Sequence, residues 1–221
     1  MTRWGATLVV VALLAATAIA FATTERQKLE KTPFAVLHVT NDFSPRLGRA
    51  TIELKLHHPH LLTVQIVDSR DRVVATLVKE QRFEAGTAFV RWHGPIADGV
   101  YEPKITMDDG RVFDLPNPIR ADSTAPRTTL LSYRPRVLHA RRKQQVAIAY
   151  RVSEPAHVLL YVDGRRVARG FAKALRSAVK WSGRLHGRRL APGRHRLQLA
   201  SVDLAGNVGP RTSAFVVRIR K

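Results

Sequence analysis

Three imidazoles fall within four residues at His57, His58 and His60, interrupted only by Pro59. They are the most metal-like group in the sequence, because neutral ring nitrogens suit zinc or copper. Consecutive strand residues point to opposite faces, so His57 and His58 reach one ion only if the turn at Pro59 folds them together. A strand-end turn is the simpler expectation, and no metal site is assigned. Trp92 and Trp181 end apolar runs and are expected as core anchors, with a carbohydrate platform as the alternative for an exposed indole. Asp203 and Asn207 bracket a glycine turn whose amides their side chains can cap.

Catalytic chemistry finds few candidates. The chain has no cysteine, which removes thiol nucleophiles, thiolate metal sites and disulfides together. It also lacks a Gly-x-Ser-x-Gly elbow and a glycine-rich phosphate loop leading into a helix. After residue 122 the only carboxylates are Glu154, Asp163 and Asp203, and two of these belong to expected hairpins. No catalytic residue and no cofactor is assigned, and the chain is read as a non-enzyme.

The basic residues are patterned. Arg141, Arg142 and Lys143 precede a strand, Arg165 and Arg166 sit at a hairpin with Arg169 beyond it, and Arg184, Arg188 and Arg189 fill a loop. Arg194 and Arg196 lie on the outer face of one strand, Arg218 and Arg220 on that of the last; if those strands are neighbours, the four guanidinia form one patch. Guanidinium pairs with phosphate or carboxylate as a bidentate fork, so Arg141, Arg142, Lys143, Arg165, Arg166, Arg194, Arg196, Arg218 and Arg220 are the candidate polyanion contacts.

The elements that must position these groups are short strands of alternating hydrophobicity separated by turn residues, the pattern of an all-β sandwich. Ile52, Leu54 and Leu56 alternate with Glu53, Lys55 and His57. Val146, Ile148, Tyr150 and Val152 repeat the device later. An internal duplication follows the same order in both halves. Pro59 matches Pro155, Leu62 to Asp68 matches Ala156 to Asp163, Trp92-His93-Gly94 matches Trp181-Ser182-Gly183, and Asp98-Gly99-Val100-Tyr101 matches Pro192-Gly193-Arg194-His195.

Charge divides along the chain in the same way. The formal net charge is +20 over 221 residues, but residues 123–221 hold twenty-two Lys/Arg against three acids, net +19, while residues 32–122 hold eleven against twelve, net −1. Such a one-signed field attracts polyanions or an anionic membrane face. Arg outnumbers Lys by 28 to 9, which coding bias alone would produce, but bias does not strip acids from one half.

Residues Trp4 to Thr24 are uncharged, and at about 1.5 Å per residue a helix of that length crosses a hydrocarbon core of about 30 Å. The expectation is an uncleaved single-pass anchor with the rest of the chain outside the cytoplasm; the alternative is secretion after cleavage at Ala18-Ile19-Ala20 or Ala20-Phe21-Ala22. Arg3 faces Arg26, Lys28 and Lys31 across the segment, which runs against the positive-inside rule. The expected organisation is an anchor or signal over 1–31, a first sandwich over 32–122 and a basic second sandwich over 123–221.

The run Phe43-Ser44-Pro45, the hairpin ending Arg72-Val73-Val74, then Ala85-Gly86-Thr87, Trp92 and Asp98-Gly99-Val100-Tyr101 resembles the immunoglobulin-like domain of the flagellar hook-capping type. The second half resembles a related bacterial Ig-like domain, with Asp203-Leu204-Ala205-Gly206-Asn207-Val208-Gly209 as its late hairpin and Asp122-Ser123-Thr124-Ala125-Pro126 as the linker that opens it. The resemblance covers about residues 34–221 and implies two tandem immunoglobulin-like β-sandwiches of a bacterial envelope protein. Where many such domains continue Phe-Ser-Pro into an oxygen-rich turn, this chain reads Arg46-Leu47-Gly48-Arg49, which removes the ligands a calcium ion would need. Fold of this kind leaves function open. The leading expectation is a non-enzymatic envelope module whose second domain contacts an anionic polymer, a lipid surface or an acidic protein. The alternatives are a nonspecific nucleic-acid binder, disfavoured because recognisable motifs are missing and aromatics interleaved with the basic runs are few, and a scaffold subunit of a surface appendage. The oligomeric state is left open.

Overall fold

The computed structural model describes residues 32–94, 96–139, 142, 144–172 and 174–221, with residues 171 and 172 described by backbone alone. The anchor or signal over 1–31, and Arg141 and Lys143 of the candidate contacts, lie outside the described residues. Among the described residues every regular element is a strand, and no helix is long and apolar enough to cross a membrane.

The first nine strands are β1 (Phe34–Val39), β2 (Asp42–Phe43), β3 (Ala50–Leu56), β4 (His60–Val67), β5 (Val73–Phe83), β6 (Gly86–Trp92), β7 (Gly99–Met107), β8 (Val112–Asp114) and β9 (Ile119–Ala121). They make one sheet in the order β1-β3-β6 and a facing sheet in the order β2-β9-β7-β4-β5, with β8 added on β7. The alternation in β3 determines which face turns inward: Ala50, Ile52, Leu54 and Leu56 are buried between the sheets. They meet Leu62, Val64 and Ile66 of β4 and Tyr101, Ile105 and Met107 of β7 in one continuous cluster. Burying each such aliphatic chain is worth about 1.5–3 kcal/mol, so these layers, without disulfides, hold the sandwich together.

The remaining strands are β10 (Thr128–Arg134), β11 (Val137–His139), β12 (Val146–Val152), β13 (Ala156–Val162), β14 (Arg165–Ala172), β15 (Arg176–Trp181), β16 (Arg184–Leu185), β17 (Arg188–Arg189), β18 (Gly193–Val202) and β19 (Phe215–Arg220). Here β10-β12-β15 faces β11-β19-β18-β13-β14 across a second cluster that contains Val146, Ile148, Tyr150, Leu160, Leu197 and Val217. The β16–β17 hairpin stands apart from both sheets.

The two halves share one topology. In each, the first, third and sixth principal strands form the smaller sheet, and a short strand pairs in parallel with the last: β2 with β9, and β11 with β19. The aligned motifs occupy matching places. Trp92 closes β6 and Trp181 closes β15, while Gly99 opens β7 and Gly193 opens β18. The duplication read from the sequence is therefore a duplication of structure. The chain re-uses one solution to burying alternate residues of two sheets.

Two local expectations change. The residues from Asp203 to Gly209 do not join β18 to β19 as a tight hairpin: the strands pair, but residues 203–214 connect them, with only a Val202–Val208 bridge inside. The loop over Arg184, Arg188 and Arg189 is itself a small hairpin. His186 and Gly187 at its tip have φ of 49° and 81°, the left-handed pair that a two-residue connection between twisted strands requires.

Candidate functional site

Register places the arginines of the second half. In β18 the half-buried His195 ring and the buried Leu197 and Leu199 face the core, so Arg194 and Arg196 project outward. In β19 the buried Phe215, Val217 and Ile219 send Arg218 and Arg220 to the same outer side. The strands are neighbours, and Arg194 lies directly opposite Arg218. Directly opposed residues bring their Cβ atoms to roughly 4.5–5.5 Å, and like charges so placed repel. Beyond β19, β11 sets His139 beside Arg220.

On the other side of β18 the outer face continues through β13 onto β14. Arg166 pairs with Tyr161 and Arg169 with Leu159, although the two arginines are an odd three positions apart. An irregularity between Leu160 and Tyr161 inserts an extra residue and returns Arg169 to the face of Arg166. Arg211 adds its guanidinium 3.9 Å from the centre of the Tyr161 ring. Arg142, Arg165, Arg166, Arg169, Arg194, Arg196, Arg211, Arg218 and Arg220 are all exposed. Among the described residues none of them joins an ion pair; the ion pair of the second half is His195 with Asp163.

The candidate contacts thus fall into groups. Arg166, Arg194, Arg196, Arg218 and Arg220 share one face. Arg165 sits opposite Val162 beside the Asp163-Gly164 turn, and Arg142 follows β11. Arg169, named with the patterned basic residues but not among the candidate contacts, joins the face through the irregularity, and Arg211 joins it from the long connection before β19. Most of these residues gather at one end of the second sandwich. That end carries the β13–β14 turn, the β16–β17 hairpin, the start of β18 and the end of β19, and it lies away from the segment that enters from the first half.

Asp163 is the carboxylate within this end, and it is occupied. His195 Nδ1 lies 2.7 Å from its Oδ2, the Arg196 amide donates to its Oδ1 at 2.9 Å, and His195 Nε2 lies 2.9 Å from the Ala191 carbonyl oxygen. Burial pushes the Asp163 carboxyl up, but the hydrogen bonds from His195 and Arg196 outweigh it and leave it below its usual value. The imidazole has a partner at each nitrogen, so it holds two loops together and has no nitrogen left to activate a nucleophile.

The opposite end holds the other acids. Asp122, Glu154 and Asp203 bring one oxygen each to within 4.8 Å of the others, the one group of three metal-capable residues among the described residues. Both oxygens of Asp203 already accept from Asn207, from its amide and its Nδ2, each at 2.8 Å. Asn207 Nδ2 also donates to the Asp122 carbonyl at 2.8 Å, so the turn-capping role expected for this pair extends to the linker. On the first sandwich, Asp98 accepts from the Ser123 amide at 2.7 Å and from Thr124 Oγ1 at 2.8 Å, and the Ser123 side chain, then Thr124 and the Ser123 amide, hold its carboxyl below the usual range. Burial, then Asp122 and Asp203, push the Glu154 carboxyl up.

The remaining candidates resolve simply. Trp92 and Trp181 are 3% and 4% exposed, which places both indoles in the cores and removes the platform reading. His57 and His58 are exposed, while His60 turns to Asp108, with Nδ1 3.1 Å from its Oδ1.

No family model matches the chain, and no curated protein matches it. Among solved structures it is similar to the fibronectin(III)-like modules of Clostridium thermocellum CbhA, at 16% identity over 85% of this chain and 94% of that one, with a TM-score of 0.48. It is also similar to a tetra-tandem repeat in the extending region of a large adhesion protein, at 16% identity, 83% and 48% coverage and a TM-score of 0.34. A third is SGBP-B of the Bacteroides ovatus mixed-linkage glucan utilization locus in complex with a mixed-linkage heptasaccharide, at 13% identity, 87% and 47% coverage and a TM-score of 0.32. The chain spans less than half of the last two. None of these descriptions names the hook-capping type.

Proposed function

We propose that this chain is a non-enzymatic surface-binding module in which the second sandwich grips an anionic polymer and the first serves as a spacer. The observation that carries the reading is the outer face and far end of the second sandwich, where Arg166, Arg169, Arg194, Arg196, Arg218 and Arg220 stand exposed without ion-pair partners among the described residues. The Arg194–Arg218 pair is the clearest part of it. Two guanidinia facing each other across adjacent strands repel until an anion lies between them, and a phosphate or carboxylate accepts from both. In this reading residues 4–24 tether the chain to a membrane and both sandwiches stand outside the cytoplasm.

The test is retention of the full chain on an immobilised anionic polymer over a salt gradient. Retention should fall steeply with salt, and an Arg194→Gln/Arg218→Gln double variant should elute earlier, because exposed charges are screened over about 10 Å at 0.1 M. Retention that ignores salt, or a double variant that elutes with the parent, would falsify the electrostatic grip. A C-terminal reporter active only in the cytoplasm would remove the envelope placement.

A further inference from the structure

Beside the basic face, at the same end of the second sandwich, a narrow crevice opens between the residues that follow β11 and the β16–β17 hairpin. Its polar lining is His139, Arg142, Gln144, Ser182 and Arg189, and it has about 230 Å³ of space including its open mouth. The floor is apolar, built by Leu138, Ile219 and Gly183. Gly183 keeps it open: its φ is +76°, and a Cβ there would lie 3.3 Å from Leu138 Cδ1 and 3.4 Å from Ile219 Cδ1.

The lining is rich in donors. Arg142 and Arg189 are exposed guanidinia, Ser182 is an exposed hydroxyl, and among the described residues no carboxylate lines the crevice. Gln144 accepts from the His139 amide through Oε1 at 3.1 Å, which leaves its NH2 group to donate. These donors come from three separate segments: Arg142 and Gln144 after β11, Ser182 after β15, and Arg189 in β17. A carboxylate presents two oxygens in a plane and is served by one guanidinium fork. A tetrahedral oxyanion presents three or more oxygens in different directions and uses donors from several sides.

We propose that this crevice is an oxyanion subsite that seats one phosphoryl group, gripped by Arg142 and Arg189 with help from Ser182 and Gln144. The proposal rests on the reading of the second sandwich as an anion binder and names the chemistry of its ligand: an anion bearing phosphate rather than carboxylate alone.

The experiment is calorimetric titration of the full chain with inorganic phosphate and, at matched ionic strength, with acetate. Phosphate should bind and acetate should not. Arg142→Gln/Arg189→Gln should weaken phosphate by at least about tenfold, as expected when two charge-assisted contacts are lost. Ser182→Ala, a smaller change that guards against misfolding of the double variant, should weaken it measurably. Glu154→Gln, at the opposite end of the second sandwich, should leave phosphate binding unchanged. Equal heats for the two anions, or phosphate binding indifferent to Arg142→Gln/Arg189→Gln, overturns the subsite. If salt-sensitive polymer retention persists without phosphate binding, the subsite fails and the module reading stands; if both are absent, both fail. Elution by free phosphate from a phosphodiester polymer assigns the group to a polymer, and elution from phosphatidylglycerol vesicles assigns it to a lipid headgroup. Indifference to phosphate on both supports also overturns the proposal.

Discussion

Tyr101 and His195 hold equivalent places near the starts of β7 and β18, and each bonds the carbonyl four residues back. Tyr101 Oη donates to Ala97 O at 2.9 Å, and His195 Nε2 lies 2.9 Å from Ala191 O. Each ring also meets its tryptophan edge-on, at 5.3 Å for Trp92 and 6.4 Å for Trp181. The histidine differs in reaching Asp163 with its second nitrogen, where the first half has Asp68 bound instead by Arg72. His195→Phe removes both polar contacts and should cost roughly 1–3 kcal/mol, the usual result of stranding a partly buried acceptor. His195→Tyr keeps the link to Ala191 and should recover part of that loss, as read by thermal unfolding. Asp68 makes a different prediction. The hydrogen bonds from Arg72 hold its carboxyl at about 2, against an ordinary 3.8. A depressed carboxyl contributes stability that is present above its unfolded value and lost as pH falls toward the folded one. Between about pH 4 and pH 2 the parent should therefore lose stability that Asp68→Asn never had, so the variant's acid limb should be flatter in a pH series of unfolding midpoints.

At the level of strands, the outer faces of β18 and β19 were legible because alternation leaves one choice: once Leu197, Leu199, Val217 and Ile219 are inside, the arginines between them are outside. Their direct opposition was not legible, since register depends on the long 203–214 connection and not on either strand. Likewise, no period-two pattern puts Arg166 and Arg169 on one side. The first-half hairpin at Asp68-Ser69-Arg70-Asp71 and the second at Asp163-Gly164 were readable from their turn residues, and both close β-ladders. The approach of Gly209 to the Pro126 carbonyl, where a Cβ would sit at 1.8 Å, joins residues far apart in sequence and left no local signal. The opposed arginines set function against stability. Arg218→Gln should raise the stability of the free protein by roughly 0.2–1 kcal/mol at low salt, the scale of a cross-strand pair, while shortening retention on the polymer. Lower stability on losing that charge would mean that the two guanidinia do not repel, and would weaken the case that an anion belongs between them.

Across the whole molecule, charge and chain direction run together. The few acids of the second sandwich are either tied up at its basic end, as Asp163 is, or collected where the linker enters, as Glu154 and Asp203 are. The far end is thereby left to the arginines, and the linker is held from both sides by Asp98 and Asn207. Sequence counting found the charge imbalance but not this polarity, because β12 and β18 must fold before Glu154 and Asp203 meet Asp122. Crowding three carboxylates costs the folded state. Burial and the two neighbouring aspartates raise the Glu154 carboxyl above 4.5, so the native chain binds its proton more tightly than the unfolded one. A raised acid contributes stability that is full below the unfolded value and lost as pH rises through the folded value. Glu154→Gln cannot ionise and escapes that loss. At neutral pH it should unfold at a higher temperature than the parent, and the difference should close as pH falls below 4.5. If the two proteins unfold together at neutral pH, the repulsion at the junction is already relieved in the folded chain. Glu154→Gln leaves the basic end untouched, so polymer retention should not change. That makes it a control for charge substitutions that act by destabilising the fold and not by removing a contact.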